Sequence, residues 1–152
     1  MNYFEFEEEN KIQIIRVILK EPNKEPKVAY IQNDYEVIKE YCKGLIDITS
    51  LPINDNIDVI LNDESLVLNM EPNIIVPECI GVLAGPLIFT GINKLTGETI
   101  SLNDEQVVSA LNYIERNKVY NMSLEHAYMY SKVMSSFLIN EEKTKTKVFN
   151  ID

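Results

Sequence analysis

The segment from Lys11 to Lys20 constrains the fold more than any other part of the chain. Its sequence, KIQIIRVILK, is rich in β-branched residues and is apolar on both faces of an extended strand. The apolar residues are Ile12, Ile14 and Ile18 on one face and Ile15, Val17 and Leu19 on the other. This pattern predicts a central strand of a sheet. Turn-forming residues at 21–26 and a short apolar stretch at 28–31 follow, which predicts a β-hairpin with an antiparallel second strand.

One short helix and three more strands are predicted next. Asn33 and Glu36 have the spacing of a capping box, and Gly44 supplies the end of the helix. The apolar positions between them recur at helical intervals (Val37, Ile38, Tyr41 and Leu45). Strand-like composition then occurs at 45–49, 58–61 and 66–70, and the polar turn 62–65 joins the last two strands.

Proline and glycine divide the middle of the chain. Pro72 and Pro77 bracket a segment that can be neither a central strand nor a long helix, so we predict a loop there. The segments 85–92 and 98–102 flank the polar turn 94–97, which ends in glycine and predicts a hairpin. The sheet should therefore contain six or seven strands.

The last third of the chain has helical periodicity. Asn103 and Gln106 have the positions of an N-cap and its N3 residue, and the first helix is predicted to end near Asn117. Ser123 is predicted to cap a second helix. Its apolar stripe would consist of Ala127, Tyr130, Val133, Met134, Phe137 and Leu138. The predicted fold is α+β: a mixed or mostly antiparallel sheet of six or seven strands, one short helix after the first hairpin, and a C-terminal helical hairpin.

The length of 152 residues is typical of one domain. We predict an acidic N-terminal segment at 1–10, a single α+β domain over 11–140 whose C-terminal helices occupy 103–140, and a flexible tail at 141–152.

Composition and charge exclude several classes of function. The formal net charge of −10 disfavours direct binding to nucleic acid or to an anionic membrane. The N-terminus is acidic where a signal peptide is basic, and the longest apolar run, 79–92, is too short to cross a bilayer. Two cysteines are fewer than a disulfide-dependent secreted domain of this size carries. We therefore expect a cytoplasmic protein without a membrane partner.

No residue pattern identifies a catalytic, metal or cofactor site. The single histidine, His126, has no second histidine to share a zinc ion, and Cys42 falls on the apolar side of its helix. Cys79 follows Pro77 and Glu78 in a predicted loop, and a small filler residue is the favoured interpretation. The glycines match neither phosphate-binding motif. We expect no catalytic residue, no metal and no cofactor, hence no enzyme; a hydrolase that uses Asp63 and Glu64 as a carboxylate pair or metal site is the least favoured alternative.

Acidic residues are concentrated in the first half of the chain. The range 31–80 contains ten acidic residues against two basic ones, and the N-terminal segment 1–10 adds four acidic residues. A dense array of carboxylates can imitate a phosphate backbone and inhibit an enzyme that acts on nucleic acid. A solubilising surface is the simpler interpretation and is favoured, because the acids are scattered.

Between Ile14 and about Leu102 the motifs resemble a small domain family of unknown function that is carried by phages, plasmids and other mobile elements of Firmicutes. The matching features are Ile15-Arg16-Val17 with Glu21-Pro22 and Pro26, the helix with Gly44, the turn Asn62-Asp63-Glu64, Pro72-Asn73, and the glycine-containing segments Ile80-Gly81 and Ile88 to Gly91. The acidic N-terminus and the helix from Ser123 depart from the family pattern. The resemblance implies a non-catalytic accessory role, such as counter-defence or modulation of the host.

Four polar residues in the family-like region are candidate ligand contacts. They are Arg16, Asn62, Glu64 and Asn73, which fall at strand ends or turns, where ligand contacts gather. The alternative is that each satisfies local backbone groups. The expected partner is an unidentified host protein or a small ligand. Sequestration of a small ligand is therefore an alternative function.

Tyr128, Met129 and Met134 place apolar residues on more than one side of the last helix, which leaves a homodimer through it open. Packing of that helix on its own sheet needs no partner and is the simpler account.

Overall fold

The computed structural model describes residues 12–151, with side chains for residues 12–139. The strands of this part are β1 (Ile14–Lys20), β2 (Lys27–Gln32), β3 (Ile46–Leu51), β4 (Asn54–Asn62), β5 (Pro72–Val76), β6 (Gly81–Ala84), β7 (Leu87–Ile92) and β8 (Thr99–Ile100). The helices are α1 (Tyr35–Cys42), α2 (Asp104–Asn117) and α3 (Leu124–Ile151), with a 3₁₀ turn at Pro77–Cys79. The acidic segment 1–10 lies outside the described residues.

The strands form two antiparallel sheets. The main sheet has six strands, in the order β2-β1-β7-β4-β3 with β8 paired to β7, and β5 and β6 form a separate two-stranded sheet. The α+β class, the antiparallel sheet of six strands and the C-terminal pair of helices are thus confirmed. The predicted hairpins β1–β2 and β7–β8 are also confirmed.

Strand β1 is an interior strand, as its sequence predicts. It lies between β2 and β7. Ile15 and Val17 belong to the core on one side of the sheet, and Ile18 belongs to the core on the other side. Strand β1 carries apolar residues on both faces because a core packs against each face of the main sheet.

Helix α1 covers one face of the main sheet. Ile38 and Cys42 pack against residues of β1, β4 and β7. The predicted N-cap, Asn33, is wrong: the side chain of Asp34 accepts hydrogen bonds from the N–H groups of Glu36 and Val37. Asn33 instead bonds the side chain of Gln13 and the carbonyl of Thr99, because it directly follows β2 and still lies beside the sheet.

Helix α2 and the β5–β6 sheet cover the other face of the main sheet. The capping box of Asn103 and Gln106 is present with both of its hydrogen bonds, as predicted. Ala110, Tyr113 and Ile114 of α2 are buried in the larger core cluster together with residues of β1, β4 and β7. The helix ends at Asn117, where its sequence predicts.

The segment between Pro72 and Pro77 was predicted as a loop and is instead β5, a fully buried strand. Ile74 faces the main sheet, whereas Ile75 packs with Ala127 of α3. The prolines are compatible with a strand here because one begins β5 and the other starts the 3₁₀ turn that follows it.

The segment 66–70 was predicted as a strand and is instead a loop of turns. The N–H of Leu68 bonds the carbonyl of Glu64, and the N–H of Met70 bonds the carbonyl of Ser65. The backbone therefore satisfies itself locally, and the side chains of Leu66, Val67 and Leu68 are exposed, with Val67 84% exposed.

Helix α3 lies on the outside of the β5–β6 sheet. The N–H of His126 bonds the hydroxyl of Ser123, so the predicted cap is present. The predicted stripe is only partly correct: Ala127 is buried, but Tyr130, Val133 and Phe137 are exposed. The helix continues through the backbone of residues 141–151, where a tail without helical periodicity was expected. None of the helices in residues 12–151 is long and apolar enough to cross a membrane.

Candidate functional site

A cleft of about 410 Å³ lies where four segments of the chain meet at one end of the main sheet. We call it the turn cleft. Its lining residues are Glu21, Pro22 and Lys24 of the β1–β2 turn, Lys43 at the end of α1, Asn69, Met70 and Glu71 before β5, and Gly85 and Pro86 between β6 and β7. The size is within the range of roughly 300–1,000 Å³ typical of small-molecule sites.

Asn73 ties together the segments that line the turn cleft. Its side chain is fully buried, and Nδ2 donates to the carbonyl of Lys20 at 2.6 Å and to the carbonyl of Gly85 at 2.8 Å. The N–H of Gly85 in turn bonds the carbonyl of Glu71 at 2.8 Å. These bonds fix the end of β1, the start of β5 and the β6–β7 connection relative to one another. Asn73 thus holds the walls of the cleft in place.

Gly85 allows a close approach between two of those walls. Its φ is +76°, a left-handed conformation that favours glycine, and a Cβ atom there would lie 2.7 Å from Sδ of Met70. The backbone of the β6–β7 connection can therefore contact the Met70 side chain only because residue 85 has no side chain.

The turn cleft contains charged groups of both signs. Lys24 forms an exposed ion pair with Glu21, and Asn23 donates a hydrogen bond to the carboxylate of Glu71. Lys43 is exposed and forms no ion pair with any side chain of residues 12–139. Its ammonium group is therefore available to an anion in the cleft.

Beside the cleft, Lys20 is a fully buried lysine that sequence reasoning did not single out. Nζ donates to the carbonyl of Glu21 at 2.9 Å and lies 5.2 Å from the ring centroid of Tyr120. Burial lowers the pKa of Lys20 to about 8, although the negative charge of Glu25 acts in the opposite direction. The sequence contains one signal that could have predicted this burial: side chains alternate between the two faces of β1, so Lys20 lies on the same face as the buried Ile18.

A polar cluster anchors the β1–β2 turn on its other side. Lys118 donates to both carboxylate oxygens of Glu25, at 2.8 and 3.1 Å, and the hydroxyl of Tyr120 donates to the same carboxylate at 2.7 Å. The hydrogen bond from Lys118 is the main reason that the pKa of Glu25 is lowered. The side chain of Asn23 also accepts a hydrogen bond from the N–H of Asn121. One wall of the cleft is thus fastened to the segment that follows α2.

Arg16 lies away from the turn cleft and fastens the start of α2 to β1. Its Nε donates to the carbonyl of Leu102 at 2.9 Å, and Nη2 donates to the carboxylate of Asp104 at 2.8 Å. The backbone N–H of Arg16 also bonds the hydroxyl of Ser101. Its polar groups are therefore engaged with the protein itself.

Asn62 supports the end of α1 that carries Lys43. Its Nδ2 donates to the carbonyl of Cys42 at 3.1 Å, and its Oδ1 accepts from the N–H of Glu64 at 2.7 Å. A Cβ atom on Gly44 would lie 2.9 Å from Nδ2 of Asn62, so the close contact requires glycine. The side chain of Glu64 is exposed.

The four predicted ligand contacts thus do not converge. Asn73 is buried behind the walls of the turn cleft and does not line it, Asn62 is behind Lys43, Glu64 is on the surface, and Arg16 is at the start of α2. Their role in contacting a ligand stays a prediction. The lining residues Lys24, Lys43 and Glu71 were missed, because a single exposed charge in a turn has no pattern that distinguishes it from other surface charges.

The remaining reactive groups are isolated from one another. Cys42 is buried, and burial raises the pKa of its thiol to about 11. Burial also raises the pKa of Asp58, which lies opposite Thr90 on the neighbouring strand. Within the described side chains, three or more His, Cys, Asp or Glu residues nowhere cluster as a metal site would require.

A protein-family model described as a domain of unknown function, DUF3846, matches residues 15–117. The matched range begins in β1 and ends with α2, and it includes every residue that lines the turn cleft. It extends past the Leu102 limit of the resemblance found in the sequence, and it excludes α3. No curated protein and no solved structure matches this chain.

Proposed function

This chain belongs to the DUF3846 family of domains of unknown function, and we propose that it is a non-catalytic binding module that captures a small charged ligand in the turn cleft. The observation that carries the proposal is the cleft itself, because four separate chain segments meet there and three of them, the end of β1, the start of β5 and the β6–β7 connection, are held by hydrogen bonds around the buried Asn73. Preorganised walls reduce the entropy that a binding site must lose when a ligand enters.

The charges of the cleft favour a zwitterionic ligand, such as an amino acid or a short peptide. Lys43 and Lys24 can contact an anionic group, and Glu71 can contact a cationic group. Met70 and the two lining prolines offer apolar contact between the charged ends. A volume of about 410 Å³ is sufficient for a ligand of dipeptide size.

The absence of turnover is part of the proposal. The candidate residues Arg16, Asn62 and Asn73 donate to backbone carbonyls, which is what residues with a structural role do. Lys20 has a lowered pKa, but its side chain is fully buried and its ammonium group bonds the backbone. Its pKa is explained by burial without a catalytic role.

The biological setting is proposed from the sequence resemblance to domains of phages and mobile elements. In that setting the protein would be an accessory protein of the cytoplasm, and capture of a ligand or host protein would serve counter-defence or modulation of the host. The net charge of −10 is consistent with a partner other than nucleic acid.

The distribution of acids supports a second candidate, the inhibition of a nucleic-acid enzyme by mimicry. Exposed carboxylates occur on α1 at Glu36 and Glu40, on β3 at Asp47, and in the loop that follows β4 at Asp63 and Glu64. Binding of a purified basic nuclease that disappears when salt is raised from about 0.05 to 0.5 M would favour this candidate. Binding that is insensitive to salt would exclude it.

Calorimetric titration with dipeptides tests the main proposal. A set of dipeptides with free termini should bind, and the same dipeptides with an acetylated N-terminus or an amidated C-terminus should bind at least about tenfold more weakly. Lys43→Met should produce the same loss, whereas Lys132→Met, an exposed lysine on α3, should leave affinity unchanged. If no dipeptide binds, or if capping and Lys43→Met have no effect, the turn cleft is not the ligand site.

A further inference from the structure

Within residues 12–151 the hydrogen-bonding groups on the outer edge of β2 have no partner strand, and we propose that two copies of this chain pair antiparallel through this edge. Strand β2 is the last strand of the main sheet, and its outer side pairs with no strand of residues 12–151. A free edge of this kind is a template for another strand.

The register of the β1–β2 hairpin shows which groups face the open edge. The N–H of Asn33 bonds the carbonyl of Gln13. Counting back by two residues in this register, the backbone groups of Ile31 and Ala29 also face β1. In an antiparallel pair every second residue bonds its neighbour, so the backbone groups of Val28, Tyr30 and Gln32 point away from β1. The carbonyl of Gln32 already accepts from the N–H of Asp34.

An antiparallel pairing with Ala29 on the two-fold axis satisfies these groups. It places Val28 of each copy opposite Tyr30 of the other copy. Each of these two pairs forms two hydrogen bonds, and together they use the outward-facing N–H and C=O groups of Val28 and Tyr30 in both copies. It also places Gln32 opposite Pro26 of the second copy. That pair needs a single hydrogen bond, because proline has no N–H and the carbonyl of Gln32 is already engaged.

The side chains are consistent with the same pairing. Val28 is 44% exposed and Tyr30 is 69% exposed, and both lie on the same face of β2. Ile14 of β1, which pairs with Gln32, lies diagonal to Tyr30 on this face and is also exposed. The two copies would thus join their exposed apolar residues into one band, in which cross-strand aromatic and β-branched pairs are favourable.

Charge favours a second copy in the antiparallel direction. Lys27 begins β2, and Asp34 and Glu36 follow its other end. Antiparallel pairing brings Lys27 of each copy to the side of the other copy on which Asp34 and Glu36 follow β2. A parallel pairing would place like charges together.

The opposite edge of the main sheet lacks these features. Strand β3 has a register shift between Ser50 and Leu51, and its exposed face carries Asp47. Irregular register and charge are the features by which edge strands avoid pairing. Strand β2 is therefore the edge suited to a second copy.

Oxidative cross-linking tests the proposed pairing. In it the two Ala29 residues form a non-hydrogen-bonded pair with Cα atoms about 4.5 Å apart, which a disulfide can bridge. Ala29→Cys combined with Cys79→Ser should therefore give a covalent dimer on mild oxidation, and Cys79→Ser alone should not. A double variant that remains monomeric in light scattering at all concentrations and does not cross-link overturns the proposal.

Val28→Pro distinguishes a dimer that forms through β2 from a dimer that forms through α3. The N–H of residue 28 points outward, so proline there should block the second copy without removing a bond to β1. Val28→Pro, or Tyr30→Lys as a second variant that keeps the backbone unchanged, should convert the dimer to a monomer. Phe137→Glu on the exposed side of α3 should leave the dimer intact. A dimer that survives Val28→Pro and Tyr30→Lys but is lost in Phe137→Glu contradicts the pairing through β2.

Discussion

The side-chain amide of Asn73 lies 2.6 Å from the carbonyl oxygen of Lys20 and donates a hydrogen bond to it. This contact joins the first residues of β5 to the last residue of β1, two strands that belong to different sheets. The same amide also bonds the carbonyl of Gly85. One buried side chain thus fixes the relative position of the two sheets at the turn cleft.

Replacement of Asn73 by alanine should destabilise the protein by about 2–4 kcal/mol, because two buried carbonyls lose their donor. Chemical denaturation measures the change in the free energy of unfolding. The matched control is Asn112→Ala, since Asn112 is exposed on α2, and the control should change stability by less than about 0.5 kcal/mol. Equal effects of the two variants would contradict the structural role of Asn73.

Lys20 should make stability depend on pH in alkaline solution. Its pKa is about 8 in the folded protein against 10.5 for an ordinary lysine, so between these values the unfolded chain binds more protons. The free energy of unfolding contributed by Lys20 should therefore rise with pH between about 8 and 10.5. Denaturation of the wild type and of Lys20→Met across this range isolates the effect, and a difference between them that does not change with pH would contradict it.

Arg16 should matter more for stability than the exposed partner of its ion pair. Arg16→Ala leaves the carbonyl of Leu102 without its donor and should cost about 1–2 kcal/mol. Asp104→Ala should cost at most about 1 kcal/mol, because the side chain of Asp104 is 95% exposed. The order of the two denaturation midpoints is the readout, and a larger loss for Asp104→Ala would show that the ion pair dominates.

Gly85→Ala should be more destabilising than Gly97→Ala. The two glycines have nearly the same left-handed φ, +76° and +77°, but a Cβ atom at 97 meets nothing within 4 Å, whereas one at 85 meets Sδ of Met70. The Gly97 variant should lose about 1 kcal/mol and the Gly85 variant about 1–2 kcal/mol more.

A double-mutant cycle attributes that excess to Met70. Met70→Ala should remove most of the additional cost of Gly85→Ala, as measured by the free energies of unfolding of the four proteins. If the costs of the two substitutions are simply additive, the contact between the two walls is not the cause.

Local sequence signals predicted the elements that local interactions determine. Asn103 and Gln106 gave the start of α2 correctly because both bonds of a capping box lie within four residues. The strand β1 was correct because burial on both sides requires apolar residues at successive positions. The segment Pro72–Val76 was missed as a strand because Pro72 and Pro77 indicated a loop, whereas its pairing with β6 depends on tertiary packing.

The site was less predictable than the fold. Asn73 was a candidate because it falls in the family-like region at a strand end or turn, but its hydrogen-bond partners are 53 and 12 residues distant in sequence. Lys43 and Glu71 become neighbours of one cleft only when α1 and the loop before β5 are packed. Such convergence depends on the three-dimensional fold and has no local pattern.

The central claim is that the turn cleft binds a small zwitterion, and the location of binding tests it most directly. Backbone amide chemical shifts should be recorded while a dipeptide with free termini is titrated into the full chain. The account predicts saturable shifts that cluster at Lys24, Lys43, Met70 and Gly85, and that are lost in Lys43→Met. Shifts that do not saturate, or that cluster on the acidic residues of α1 and β3 instead, would contradict it.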